Sequence, residues 1–117
     1  MNKLFIYHNP KCSKSRKALE ILKSCDLNPQ IILYLEDKLT TGELKSILVK
    51  LNINARKLLR TTEKEFKEKN LDEKNLSDNE IITTMLNYPK LIQRPIVVCG
   101  SKAVVARPPE KVYEIIQ

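Results

Sequence analysis

The first 35 residues carry the pattern that most constrains the fold. Segment 3–7 (KLFIY) is short, apolar and partly aromatic, and Asn9-Pro10 ends it. A helical pattern follows, with Ser13 or Ser15 as its cap, and runs to about residue 25. Segment 30–35 (QIILYL) is again strand-like. A strand, a helix and a strand in so few residues predict a βαβ unit, in which the two strands are parallel.

The rest of the chain predicts a helical block followed by two strands and a closing helix. Helices are expected after Thr40 or Thr41, over residues 54–59 and after Ser77; strands are expected over 95–99 and 103–106, and a last helix over 110–116. This order predicts an α/β, thioredoxin-like fold with a four-stranded mixed βαβ–ββα sheet. We expect a single domain over residues 1–117, with a helical insertion over 38–90.

The composition excludes several classes of function. A net charge of +7 suits either a soluble lysine-rich surface or an anionic ligand. The lysines do not alternate with stacking aromatic residues and Trp is absent, so nucleic acid is not an expected partner. No apolar run approaches the roughly 20 residues of a membrane span, and the N-terminus lacks a signal-peptide pattern. We therefore expect a cytoplasmic protein that does not contact membranes.

The chain has one histidine and three cysteines, with no Cys-x-x-Cys spacing. An odd number of cysteines without that spacing, and without a histidine cluster, does not form a zinc-site pattern, so neither a metal nor a bound cofactor is expected. Cys25 and Cys99 lie in apolar surroundings, which favours a role as core filler. Cys12 differs because polar and cationic residues flank it.

Cys12 is expected at the start of the first helix, where free backbone amides and the helix dipole favour an anion. Its thiol pKa should therefore be lowered, which makes the sulfur nucleophilic at neutral pH. We expect His8 and the cations Lys11, Lys14 and Arg16 to add positive potential, and the amides of residues 13–16 to hold a second anion. A structural cysteine at a turn is the alternative.

Three arginines stand at the ends of predicted elements. Arg60 ends the short helix of the insertion, Arg94 precedes Pro95 before the third strand, and Arg107 precedes a Pro-Pro pair after the fourth. A planar guanidinium binds an oxyanion through two hydrogen bonds. In a thioredoxin-like fold, the loop that enters the third strand carries a cis-proline beside the active thiol, and Pro95 has that place.

Four segments together resemble the glutaredoxin-dependent arsenate reductases and their short relatives: YHNPKCSKSRKAL, LLRT, LIQRPIVV and ARPPE. The resemblance covers nearly the whole chain in order and spacing. It implies that Cys12 is the nucleophile and that Arg60, Arg94 and Arg107 bind the oxyanion. It also implies that His8 helps to lower the thiol pKa and that Ser15 belongs to the same loop.

The chemistry implied by the resemblance begins with attack of the Cys12 thiolate on arsenate, which gives a cysteine–arsenate adduct. Glutathione then acts as co-substrate, arsenite leaves, and glutaredoxin resolves the mixed disulfide. Two alternatives share the fold. A redox-responsive regulator that binds RNA polymerase typically carries Cys-x-x-Cys, whereas Ser15 holds the second position here. A general glutathione-dependent thiol oxidoreductase would need one thiol but not three arginines.

Overall fold

The computed structural model describes residues 3–61, 63–68 and 76–116. The strands are β1 (Leu4–Tyr7), β2 (Gln30–Ile32), β3 (Ile96–Cys99) and β4 (Lys102–Val105). The α-helices of these residues are α1 (Ser13–Ser24), α2 (Thr41–Leu51), α3 (Lys64–Glu68) and α4 (Asp78–Asn87). Short 3₁₀ helices span Ala55–Leu58, Pro89–Leu91 and Pro109–Glu114. None of these helices is both long enough and apolar enough to cross a membrane.

The four strands form one mixed sheet in the order β2-β1-β3-β4. β1 is parallel to β2 and antiparallel to β3, and β3 is antiparallel to β4. The predicted βαβ–ββα arrangement is therefore confirmed. The parallel pair is joined through α1, so the loop between β1 and α1 emerges at the carboxyl end of a central strand, where α/β proteins place their ligand sites.

β2 is shorter than the sequence predicted, because it ends at Ile32 rather than at residue 35. The register explains this difference: Ile32 pairs with Tyr7, the last residue of β1, and the amide of His8 donates to the Ile32 carbonyl at 2.9 Å. Beyond this point β1 offers no further partner. The chain then turns, and the amides of Glu36 and Asp37 both donate to the Leu33 carbonyl.

The chain forms two compact units. The first combines the segments before Lys38 and after Gln93, and the second is the segment between them. In the first unit, the apolar face of α1 and the last 3₁₀ helix pack with β1 and β3 into one core. Fully buried members of this core are Ile6, Ala18, Leu22, Val97, Ala106 and Val112. Burial of such side chains stabilises a fold by roughly 1.5–3 kcal/mol each for the larger aliphatic ones.

In the second unit, α2 packs against α4, and α4 also contacts the first two 3₁₀ helices. Both α-helices begin with a capping box, formed by Thr40 with Glu43 and by Ser77 with Glu80. Thr40 rather than Thr41 is thus the cap of α2. The predicted element over 54–59 is a 3₁₀ helix, and the Asn54 side chain accepts a hydrogen bond from the Lys57 amide at its start.

The closing helix predicted over 110–116 is a 3₁₀ helix over Pro109–Glu114. Its amides bond three residues back, as shown by Lys111 to Pro108 and Ile115 to Val112. Val112 of this helix is fully buried in the core of the first unit, and Ile115, which follows the helix, packs against the same core.

Candidate active site

Cys12 is the residue that immediately precedes α1, and it lies between the end of β1 and the first helical turn. Its backbone is extended (φ −92°, ψ 123°), and no side chain caps the helix there. The prediction that Ser13 or Ser15 caps α1 is therefore wrong. Cys12 is only partly buried. Its sulfur thus combines access from solvent with a place at the positive end of a 12-residue helix.

Three donors stabilise the thiolate form of Cys12. Burial raises the pKa of this thiol, but hydrogen bonds from the Ser15 amide, the Arg94 guanidinium and the Lys14 amide lower it by more. The positive charge of Arg94 acts in the same direction. The net pKa is below the ordinary value, which confirms the expectation from the sequence. A thiolate, rather than a thiol, is the nucleophilic form of cysteine.

The predicted cradle of four amides is smaller than expected. The amide of Arg16 donates to the Cys12 carbonyl at 3.0 Å as the first backbone bond of α1. It is therefore not available for an anion. The Arg16 side chain also turns back to the loop, because its Nη1 donates to the Pro10 carbonyl at 2.9 Å. The Arg16 side chain therefore stabilises the loop instead of binding an anion beside the sulfur.

His8 is buried and bonded to Ser15. Its side chain is 5% exposed, and its Nδ1 lies 2.6 Å from the Ser15 hydroxyl oxygen, which is itself fully buried. Burial lowers the pKa of His8, and the positive charges of Arg16 and Lys23 lower it further. His8 is therefore neutral at pH 7. The expectation that His8 adds positive potential to the site is wrong, because a buried imidazole beside two cations loses its proton.

Asn9 is the loop residue that sequence reasoning missed. Its amide donates to the Ser15 hydroxyl, its backbone carbonyl accepts from the Cys12 amide, and its side-chain Oδ1 accepts from the Lys11 amide, each at 3.0 Å. Asn before Pro favours a turn, and the sequence predicts one at Asn9-Pro10. The bonds from Asn9 to Lys11, Cys12 and Ser15 are the part that the pattern does not indicate.

Arg94 and Arg107 belong to the same unit as Cys12. The peptide bonds Arg94–Pro95 and Arg107–Pro108 are both cis, which confirms the expected cis-proline at Pro95. The Nη1 of Arg107 donates to the Arg94 carbonyl at 3.0 Å. The structure thus brings together the thiol and two of the three predicted arginines, and it links those arginines through the backbone.

Arg60 belongs to the second unit. Its Nε lies 3.2 Å from Oε1 of Glu63, and both side chains are largely buried. The Arg60 amide donates to the Leu91 carbonyl at 2.7 Å, which fixes the backbone of this residue within the unit. Its role in oxyanion binding stays a prediction.

The other two cysteines differ from the prediction of core filler. Cys25 is exposed, because α1 ends at Ser24 and Cys25 lies beyond its apolar face. Cys99 is partly buried at the end of β3, where it pairs with Leu4 and with Lys102. Neither residue is a fully buried core side chain.

The fold and this loop define a thioredoxin-like protein with a stabilised thiolate at the start of its first helix. The model of the ArsC family matches residues 7–115. A protein of Haemophilus influenzae named arsenate reductase is 44% identical over 114 residues, covering 97% of this chain and 98% of its own. The uncharacterized protein YfgD of Escherichia coli is 46% identical over 112 residues, covering 95% and 94%.

A solved structure titled arsenate reductase from Vibrio cholerae superposes with a TM-score of 0.94 at 46% identity, and the match covers 98% of both chains. The chain therefore belongs to the ArsC family. Its thioredoxin-like fold is that of its structural neighbours.

Proposed function

We propose that this protein is an arsenate reductase that depends on glutathione and glutaredoxin and uses Cys12 as its nucleophile. The observation that carries the proposal is the hydrogen bond from the Arg94 guanidinium to the Cys12 sulfur, together with the amides of Lys14 and Ser15. A thiolate held against a guanidinium suits a reaction in which an oxyanion must approach a sulfur of the same charge. Membership of the ArsC family supports the same substrate.

In the first step, the Cys12 thiolate attacks arsenic and a protonated oxygen leaves as water, which gives a sulfur–arsenic(V) bond. Glutathione thiolate then attacks the Cys12 sulfur, and the electron pair of the sulfur–arsenic bond passes to arsenic. Arsenic(V) gains two electrons and leaves as arsenite, while the two sulfurs lose two electrons and form a mixed disulfide. A glutaredoxin thiol takes the glutathione from this disulfide and releases Cys12.

The need for an outside thiol agrees with the positions of the other cysteines. Cys25 follows the 12 residues of α1, so its Cα lies about 20 Å from that of Cys12 at the rise of an α-helix. Cys99 pairs with Leu4, at the far end of β1 from the loop, roughly 10 Å away along the strand. A disulfide requires Cα atoms within about 7 Å.

The reducing thiols in this scheme belong to the cytosol, and a cytoplasmic location is therefore part of the proposal. The oxyanion is expected to contact Arg94 and Arg107, and Arg60 is proposed as a third contact. Each donor that stabilises charge in a transition state contributes roughly 10²–10³ in rate.

The test is a coupled assay of NADPH consumption with arsenate, glutathione, glutaredoxin and glutathione reductase. We expect the wild-type protein to turn over arsenate and Cys12→Ser to fall to background while remaining folded. Cys25→Ser is the matched control, because it removes an exposed thiol and should retain full activity. Full turnover by Cys12→Ser would overturn the assignment of the nucleophile.

The same preparation should be tested with a glutathionylated peptide. A general thiol oxidoreductase also needs only one accessible thiolate, and the partly exposed, stabilised Cys12 would serve it. Reduction of the peptide without any turnover of arsenate would replace the proposed function with this alternative. Capture of RNA polymerase by the protein would favour the regulator instead.

A further inference from the structure

Asn9 joins three parts of the loop that precedes α1. The turn from Asn9 to Cys12 is closed by the hydrogen bond from the Cys12 amide to the Asn9 carbonyl. Inside this turn, the Asn9 side chain accepts the Lys11 amide, an arrangement that imitates a second backbone turn. Asn9 itself is 9% exposed, so these polar groups are largely shielded from water.

The third bond of Asn9 reaches into the helix. Its amide donates to the Ser15 hydroxyl at 3.0 Å, and the same hydroxyl is bonded to His8. The backbone amide of Ser15 is one of the donors that stabilise the Cys12 thiolate. Asn9 therefore contacts the residues on both sides of the sulfur: Lys11 and Cys12 through the turn, and Ser15 through its hydroxyl.

The geometry of the sulfur depends on this turn. Cys12 adopts an extended backbone just before α1, and in that conformation its side chain meets the amides of Lys14 and Ser15. The turn also fixes where the Cys12 amide points, because that amide is committed to the Asn9 carbonyl. A looser turn would let the sulfur move away from the two amides and from Arg94.

We propose that Asn9 is a positioning residue for the nucleophile: its side-chain oxygen holds the turn that presents the Cys12 sulfur to the amides of α1 and to Arg94. Asn9 does not touch the sulfur, and it acts through Lys11, Cys12 and Ser15. The proposal rests on Cys12 as the nucleophile of the proposed function, but not on arsenate as the substrate.

The test measures the rate at which iodoacetamide alkylates Cys12 as a function of pH, with peptide mapping by mass spectrometry to separate this cysteine from the other two. Asn9→Ala removes the bond to the Lys11 amide. The midpoint of alkylation should move to higher pH, so that the thiolate population below the midpoint falls roughly threefold to tenfold, as expected for the loss of one net hydrogen bond. Asn9→Ser keeps a shorter acceptor and should recover part of the shift.

Asn54→Ala is the matched control, because the Asn54 side chain also accepts a backbone amide, that of Lys57, but within the second unit. It should lower the free energy of unfolding without moving the Cys12 midpoint. An unchanged midpoint in folded Asn9→Ala would overturn the proposal, as would an equal shift in Asn54→Ala. If Asn9→Ala does not fold, Asn9→Ser provides the test. Its alkylation midpoint must lie at higher pH than that of the wild type, by less than the shift predicted for Asn9→Ala.

The two proposals fail in different ways. If the midpoint moves in Asn9→Ala but the wild-type protein does not reduce arsenate, the positioning role stands and the proposed function falls. If the wild-type protein reduces arsenate but the midpoint does not move in Asn9→Ala, the proposed function stands and the positioning role of Asn9 falls. Where both stand, Asn9→Ala should lower kcat with little change in KM for arsenate, because the arginines that hold the oxyanion are intact.

Discussion

The guanidinium of Arg107 donates a hydrogen bond from Nη1 to the backbone carbonyl of Arg94 at 3.0 Å. Arg94 in turn donates from its side chain to the Cys12 sulfur. Arg107 thus holds the backbone of Arg94, and the side chain of Arg94 holds the Cys12 thiolate. A substitution of either arginine should therefore change the environment of the same sulfur.

This relationship predicts that substitutions of the two arginines are not additive. Arg94→Ala should raise the thiol pKa of Cys12 and reduce kcat/KM for arsenate roughly 10²–10³-fold. Arg107→Ala should also reduce activity, but it should cost much less in the Arg94→Ala background than in the wild type, because part of its effect passes through Arg94. The four proteins of this cycle are compared by the coupled assay and by Cys12 alkylation.

Arg56→Ala provides the control for loss of a cation, since Arg56 is exposed and is not expected at the site. It should leave both measurements unchanged. Strict additivity of Arg94→Ala and Arg107→Ala would show that Arg107 acts on the oxyanion alone.

The neutral state of His8 predicts a loss of stability in acid. Its pKa is lowered in the folded protein by burial, by Arg16 and by Lys23, whereas in the unfolded chain it has the ordinary value of about 6.5. Below that value the unfolded chain binds a proton that the folded protein does not. The free energy of unfolding should therefore fall as pH drops from 7 through the ordinary pKa. Above that pKa, His8 should add no pH dependence to the free energy of unfolding.

Denaturant titrations between pH 5 and pH 7.5 would measure this effect, at roughly 1.4 kcal/mol for each unit by which the pKa is lowered. In His8→Asn the side-chain amide can still bond Ser15 but does not titrate, so the fall should be shallower than in the wild type. The same slope in both proteins would mean that His8 is protonated in the folded state near pH 6.

The ion pair between Arg60 and Glu63 offers a test of the predicted role of Arg60. Glu63 lies 3.2 Å from the Arg60 Nε, and a bound oxyanion would compete with this carboxylate for the guanidinium. If Arg60 binds arsenate, Glu63→Gln should lower KM for arsenate several-fold, whereas Arg60→Ala should raise it. Glu68→Gln, which removes an exposed partner of Lys64, is the control. A KM that is unchanged in both Arg60→Ala and Glu63→Gln would remove Arg60 from the site.

The cap of α2 gives a prediction about stability alone. Thr40 accepts the Glu43 amide at 3.1 Å, and the Glu43 side chain accepts the Thr40 amide at the same distance. Thr40→Ala should lower the free energy of unfolding by about 0.5–2 kcal/mol, measured by urea denaturation. Thr41→Ala, one residue along the exposed surface, should change it by less than about 0.5 kcal/mol. Equal effects would mean that the capping box is not formed in solution.

Much of the fold was predictable because local rules decided it. The period of the apolar residues and the Asn9-Pro10 turn were sufficient for β1 and α1, and Ser77 with Glu80 marked the start of α4. The end of β2 was not predictable, because it depends on where its partner β1 ends. The last helix was predicted in the wrong form, because apolar residues three positions apart share a face in both an α-helix and a 3₁₀ helix, and the sequence pattern does not separate the two.

The candidate site was likewise predictable where local rules decide a feature, and not where tertiary contacts decide it. The lowered pKa of Cys12 could be predicted, since a position before a helix stabilises an anion by itself. The state of His8 could not, because burial and the neighbouring cations are tertiary facts. The link from Arg107 to the Arg94 carbonyl joins residues 13 positions apart in sequence, and no local pattern reports it.

Ser15 occupies the position that a second thiol would hold in a dithiol motif. Its hydroxyl is fully enclosed and faces His8 and Asn9. A Ser15→Cys exchange would replace an oxygen that bonds both the imidazole and the Asn9 amide by a larger sulfur. A disulfide between that sulfur and Cys12 would therefore form only with the loss of the two hydrogen bonds that lie beneath the loop.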